Sequence, residues 1–179
     1  DDSLENYSVR NFNKIYRVNP PFWIDEIVFK VLRYVSFFPD RFRFFNKQMF
    51  KRAQEIDVEN YDLIISWSQW HSVHLVASKI KKFSPSLPWI AHMSDPWSDN
   101  PFLTNKIGYK ASQFFLERKV LKYADAINFT TNMARFLVMK KYPSSWINKT
   151  YVTPHSYDSG LYQKENQNIN KNRLIINYL

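Results

Sequence analysis

A chain of 179 residues with 45% hydrophobic and 18% aromatic content can build a full core, which excludes a disordered or low-complexity protein. With no cysteine and only two glycines, Gly108 and Gly160, it can form no disulfide, no thiolate metal site, no G-x-G-x-x-G fingerprint and no phosphate-binding P-loop. The net charge of +9 points to an anionic partner such as nucleic acid, phospholipid or a phosphorylated substrate, although composition alone favours a lysine-rich solvated surface.

In chain order, Tyr7 to Val18 partly alternates apolar and polar residues, which predicts an extended segment stopped at Pro20-Pro21. Phe22 to Phe38 carries Trp23, Ile24, Ile27, Val28, Val31, Leu32 and Val35 at helical spacing, and Pro39 ends it. A second helix is predicted from Phe42 to Ile56, with Phe42, Phe45, Met49, Ala53 and Ile56 inward. Arg43, Lys47 and Lys51 fall four residues apart on another face, with Arg41 and Arg52 nearby and no acid between. Such a face either lies on an anionic bilayer or is the solvated side of an ordinary core helix. No apolar run reaches the length of a membrane span, and Asp1-Asp2-Ser3 does not read as a signal peptide. The absence of cysteine fits a reducing compartment.

Asp62 to Trp67, DLIISW, is a short β-branched run and predicts a buried strand with Ser66 and Ser68 at its carboxyl end. A helix follows with Val73, Val76, Ala77 and Ile80 inward and Lys79, Lys81 and Lys82 at its basic end. His71 and His74 have the i, i+3 spacing of metal ligands, but no third ligand and no H-E-x-x-H accompany them, so no metal site is assigned. The stretch Pro88 to Phe102, PWIAHMSDPWSDNPF, opens as a strand over Trp89 to Ala91 and turns polar at His92 and Ser94. Proline at 96 keeps Asp95 out of the helical region, and Asp99-Asn100-Pro101 prolongs the irregular stretch. In an open α/β sheet ligands bind outside the carboxyl ends of the strands, so this acidic, aromatic loop is a site candidate.

A long helix is predicted from Asn105 to Tyr123 on the apolar residues Ile107, Ala111, Phe114, Phe115 and Leu121. Asp125 to Phe129 reads as a strand, Thr130-Thr131-Asn132 as an N-cap, Met133 to Tyr142 as a short helix and Tyr151 to Thr153 as a strand stub. Residues 163–172 read as a polar linker, and RLIINYL at 173–179 as the start of something further. The alternation predicts an α/β, Rossmann-like parallel sheet with helices on both faces.

Four segments, in order, resemble the N-terminal domain of a family-4, GT-B-fold glycosyltransferase. They are DLIISW, then PWIAHMSDPWSDNPF, then LERKVLKYADAINFTT, then YVTPHSYD, and they span Tyr61 to Asp158. Two departures stand out. His155-Ser156 replaces the family's Asn-Gly, and the family's first strand with its glycine-rich turn has no counterpart. The resemblance implies a partial acceptor domain over 1–162 and a truncated second domain from 173, with the first strand and the donor domain missing. It implies transfer of a sugar from a nucleotide-sugar to a glycan or lipid-linked acceptor, as in polysaccharide or cell-envelope biosynthesis. No cofactor beyond the donor substrate is implied, and the expected location is the cytoplasm, with peripheral attachment to the inner membrane face.

Such chemistry needs a carboxylate that orients or deprotonates the acceptor hydroxyl, and Asp95 aligns with the family's acidic loop position. The alternative is a turn aspartate before proline. Asp99 and His92 are candidate substrate contacts, Trp97 is a sugar platform or a packing anchor, and Ser66 and Ser68 are candidate liners of the same crevice. Glu117 reads as a helix salt-bridge residue. The competing class is a non-enzymatic basic module on nucleic acid or an anionic membrane, but no nucleic-acid motif is present, so no nucleic-acid partner is expected.

Overall fold

The computed structural model describes residues 14–18, 40–56, 58–68, 70–100 and 107–156. The helix expected over 22–38, the linker 163–172 and the stretch 173–179 lie outside the described residues, and 14–18 belongs to no helix or strand.

Four strands form one parallel sheet in the order β1 (Ile64–Ser68), β2 (Trp89–Met93), β3 (Ala126–Phe129), β4 (Thr150–Val152). The three expected inner strands are thus parallel neighbours. Around them run α1 (Asn46–Gln54), α2 (Ser72–Phe83), α3 (Ile107–Tyr123) and α4 (Asn132–Met139). The helix expected from Phe42 divides into a 3-10 turn, Arg41–Phe45, and α1. Asp40 caps that turn at Phe42 N (2.9 Å) and also accepts from Ser72 N and Oγ (both 2.8 Å), tying it to the start of α2. Thr131 caps α4 as expected, its hydroxyl accepting from Ala134 N at 3.0 Å.

Register fixes which residues share a face, because side chains alternate along a strand. Trp89, Ala91 and Met93 of β2 align with Ile64, Ser66 and Ser68 of β1, and Ala91 and Met93 with Ile127 and Phe129 of β3. This face packs against Ala77 of α2, Val120 and Leu121 of α3, and Ala134, Val138 and Met139 of α4. The opposite face carries Ile65, Trp67, Ile90, His92, Ala126, Asn128 and Tyr151, of which Ile65, Trp67 and Tyr151 are exposed. The described helices of the core therefore cover one face. A second helical layer has no counterpart among the described residues.

The strand entrances are fixed by Asp125, which accepts from Trp89 N at 2.7 Å and pairs with Lys81 at 2.9 Å. Burial alone would raise its pKa, but the Lys81 and Trp89 hydrogen bonds and the charges of Lys81 and Lys149 outweigh that and hold it low. Lys149 donates to the Lys122 and Ala124 carbonyls at the end of α3, groups a helix terminus leaves unpaired.

The inward face of α3 differs from the one its apolar residues suggest. Phe115 is 67% exposed and Ala111 is exposed, whereas Gln113 and Glu117 are fully buried on the stripe that continues through Val120, Leu121 and Ala124. Tertiary hydrogen bonds, not hydropathy, select this face. Phe115→Lys should therefore leave stability within about 0.5 kcal/mol, as surface substitutions do. Leu121→Ala should cost about 2–5 kcal/mol. Urea unfolding of both variants checks the assignment.

Candidate functional site

The loop after β2, Ser94 to Asn100, lies at the carboxyl end of the sheet and is pinned from beneath. Pro96 removes a backbone donor and fixes the chain direction. Trp97 then turns inward, is 1% exposed, and donates from Nε1 to Gln113 Oε1 at 2.6 Å. Its ring stacks on His71 at 4.5 Å, with 4° between the planes. Ser98 follows it in, donating from N to Glu117 Oε2 at 2.7 Å and from Oγ to Glu117 Oε1 at 3.1 Å. Lys141 Nζ (2.7 Å) and Tyr142 OH (2.6 Å) reach the same Glu117 oxygen from beyond α4. Lys141 also donates to Ser98 Oγ at 2.7 Å and lies 2.5 Å from Asp99 Oδ2, a charge contact off the line of a hydrogen bond. Burial, then the charge and hydrogen bond of Glu117, pushes the Tyr142 phenol far up, so it stays a protonated donor. At the other end of the loop Ser94 N donates to Ser68 Oγ at 3.4 Å and Ser94 O accepts from Thr130 at 2.9 Å.

These contacts settle where each expected site residue stands. Trp97 is buried against His71, so neither ring face is open to a sugar. Asp99 is held by Lys141. Ser66 accepts from Trp89 Nε1 at 2.8 Å and meets His74 Nδ1 at 2.7 Å, and Ser68 is buried under Ser94. Both serines face the helices, whereas His92 lies on the opposite face, so the sheet separates residues expected to share one crevice. Asp95 alone among them is exposed, and it makes no hydrogen bond or ion pair among the described residues. Arg43 of the 3-10 turn and Lys47, Lys51 and Arg52 of α1 are exposed, and Arg52 pairs with Glu55. Arg41 opens the preceding 3-10 turn.

The sequence reading missed a row on the open face. Trp67, His92, Asn128 and Tyr151 align across all four strands. Trp67, 60% exposed, stacks on His92 at 3.7 Å. Thr153 Oγ1 donates to Asn128 Oδ1 at 3.0 Å, which orients the amide so that its Nδ2 donates to His92 Nδ1 at 2.8 Å. The His92 proton therefore sits on Nε2. Ser66 accepts from the donor-only Trp89 indole and shares a 2.7 Å hydrogen bond with His74 Nδ1. Neither Nε2 has a partner among the described residues. Burial lowers the His71 pKa to about 4. Burial, with the nearby His71 and His92, lowers that of His74 to about 3. Burial and then His155 lower that of His92. These imidazoles are thus neutral hydrogen-bonding groups, not charges: His71 and His74 beneath the helices and His92 on the open face.

Among the described residues no group of three or more His, Cys, Asp or Glu is placed to hold a metal. A cavity of about 510 Å³ lined by Val58, Tyr61, Asp62, Ser84, Ser86, Leu87 and Pro88 opens at the amino ends of β1 and β2, away from this loop. No protein-family model and no curated protein sequence matches the chain.

Two outcomes follow from this geometry. Removing one member of a buried ion pair leaves the other uncompensated and costs about 3–5 kcal/mol. Glu117→Gln should lose stability on that scale in urea unfolding, while Asp95→Asn stays within about 0.5 kcal/mol of the parent. The second concerns acid. The unfolded chain protonates histidine as pH falls through 6.5, while folded His71 and His74 resist until about 4 and 3. Their contribution is complete above pH 6.5 and declines as pH falls through that window, by about 1.4 kcal/mol per pH unit for each histidine. His71→Phe, which keeps the stack on Trp97, should remove one histidine's share of the slope between pH 6 and 4.5.

Proposed function

We propose that this chain is the acceptor-side part of a glycosyltransferase of the GT-B type, acting on a glycan or lipid-linked acceptor. The observation that carries the reading is the exposed carboxylate of Asp95, unpaired among the described residues, at the carboxyl end of β2, on a loop whose next residues are anchored to buried Gln113 and Glu117. A parallel α/β sheet places ligands at that end, and a carboxylate there is free to orient an acceptor hydroxyl and take its proton. The rigid anchor supplies positioning, which is worth as much to a transferase as the base itself. A second domain of the kind the resemblance implies would hold the nucleotide-sugar.

The test is kinetic, in a protein carrying both domains. Asp95→Asn should lower kcat by about 10²–10⁴-fold, the usual worth of a general base, with the KM for the nucleotide-sugar unchanged. An unchanged kcat would reduce Asp95 to a turn residue. This chain alone should transfer no sugar.

Peripheral attachment to an anionic membrane is a further part of the reading. Arg43, Lys47 and Lys51 are exposed along one side, Phe44 is exposed beside them, and the apolar side with buried Phe45 faces inward. Among the described residues no helix is long and apolar enough to cross a membrane. Each basic residue near an anionic leaflet contributes about 1 kcal/mol, screened by salt. Co-sedimentation with anionic vesicles should exceed that with neutral ones at low salt and fall when Arg43, Lys47 and Lys51 become Glu. Stronger retention on DNA under the same conditions would favour the nucleic-acid alternative.

A further inference from the structure

A second surface, later in the sequence, combines apolar exposure with positive charge that is unpaired among the described residues. Met133 and Phe136 stand one turn apart on α4 and are 64% and 62% exposed. Ile147, from the 3-10 turn Ser144–Lys149, is exposed beside them. Phe136, Met139 and Ile147 line a groove of about 400 Å³ together with Asn132, Arg135 and Lys140. A helix of ordinary globular packing would turn such side chains inward. Here the inward positions are already taken by Ala134, Val138 and Met139.

The charges of the groove are all of one sign. Arg135 donates from Nε to Thr150 Oγ1 at 2.6 Å, which holds the side chain in place, and its terminal nitrogens have no partner among the described residues. Lys140 lies 6.0 Å from the centre of the Phe136 ring and makes no ion pair among the described residues. No Asp or Glu lines the groove, and none occurs in the sequence between Ala126 and Tyr157. An apolar trough flanked by two cations matches a molecule with a hydrocarbon part and an anionic head. Its six lining residues are few beside the roughly 20–30 that each partner brings to a stable protein interface, and its volume is that of a small-ligand pocket, about 300–1,000 Å³.

We propose that the groove between α4 and the turn Ser144–Lys149 seats an anionic phospholipid of a bilayer surface. The acyl chain lies along Phe136 and Ile147 over the buried Met139 at the groove floor, the headgroup phosphate meets Arg135 and Lys140, and Met133 enters the interfacial layer. Apolar insertion and electrostatic attraction add, as in interfacial helices. The assignment does not depend on the sugar-transfer reading, and it involves residues distinct from the Arg43, Lys47 and Lys51 face.

The chain has no cysteine, so Met133→Cys can carry a single environment-sensitive fluorophore. Its emission should shift to the blue with phosphatidylcholine vesicles containing phosphatidylglycerol and stay unshifted with phosphatidylcholine alone. Phe136→Asp and, separately, Lys140→Glu should each weaken the apparent affinity read by that shift about tenfold or more, with an unchanged circular dichroism spectrum. With Lys47→Glu and Lys51→Glu together, the bound fraction should keep its full shift, which separates this groove from the other basic face. No shift with anionic vesicles, an equal shift with neutral ones, or a shift produced only by an acidic amphipathic peptide would overturn the lipid assignment.

Discussion

The architecture at the carboxyl end of the sheet depends on one buried carboxylate. Glu117 is wholly inaccessible and accepts from Ser98 N, Ser98 Oγ, Lys141 and Tyr142. Burying a carboxylate is costly unless its lone pairs are filled and a counter-charge is close, and both conditions hold here. The donors come from the loop after β2 and from the residues following α4, and Lys141 also pairs with Asp99 of that loop. Glu117 therefore joins three segments that share no backbone ladder. Trp97 adds the second point of attachment on Gln113, one turn of α3 earlier. A loop held at consecutive residues by the same helix face has little freedom, and Asp95 is presented from it.

That arrangement also explains why polar residues occupy the core of α3. An apolar pair at 113 and 117 would pack against the sheet but would leave the Ser98 amide and the Trp97 indole without partners. Unpaired buried donors each cost about 1–3 kcal/mol. The polar stripe is thus the complement of a loop that must turn inward without forming a strand. The two buried imidazoles follow the same logic in another form. Ser66 holds His74, Asn128 fixes His92 as the Nε2–H tautomer, and burial keeps both uncharged, so no further counter-charges are needed beside the Glu117 network.

The sheet was legible in the sequence because its strands are short β-branched or apolar runs bounded by Pro88, Pro143 and polar turns, and because strand–helix alternation implies parallel pairing. The N-cap at Thr131 was legible for the same local reason. The orientation of α3 was not. Counting apolar residues placed Phe115 inward, since hydropathy has no means of recognising a carboxylate whose donors lie 19 to 25 residues away. The signal was present in the spacing: 113, 117, 120 and 124 form one helical face, and its lower half is Val120 and Ala124. A single crevice at the strand ends was not legible either. Alternation along β1 and β2 sends Ser66 and Ser68 to one side and His92 to the other, and that follows from register, which a single strand does not reveal.

The central claim is that Glu117 holds the Asp95 loop as rigidly as the sheet itself. Hydrogen exchange at the Ser98 amide tests it most directly, because that N–H is bonded to Glu117 and to no backbone group of a strand. The account predicts protection at Ser98 equal to that of the β2 amides, governed by global unfolding, and its selective loss in Glu117→Gln. Rapid exchange at Ser98 in the parent protein, typical of an exposed loop, would contradict it.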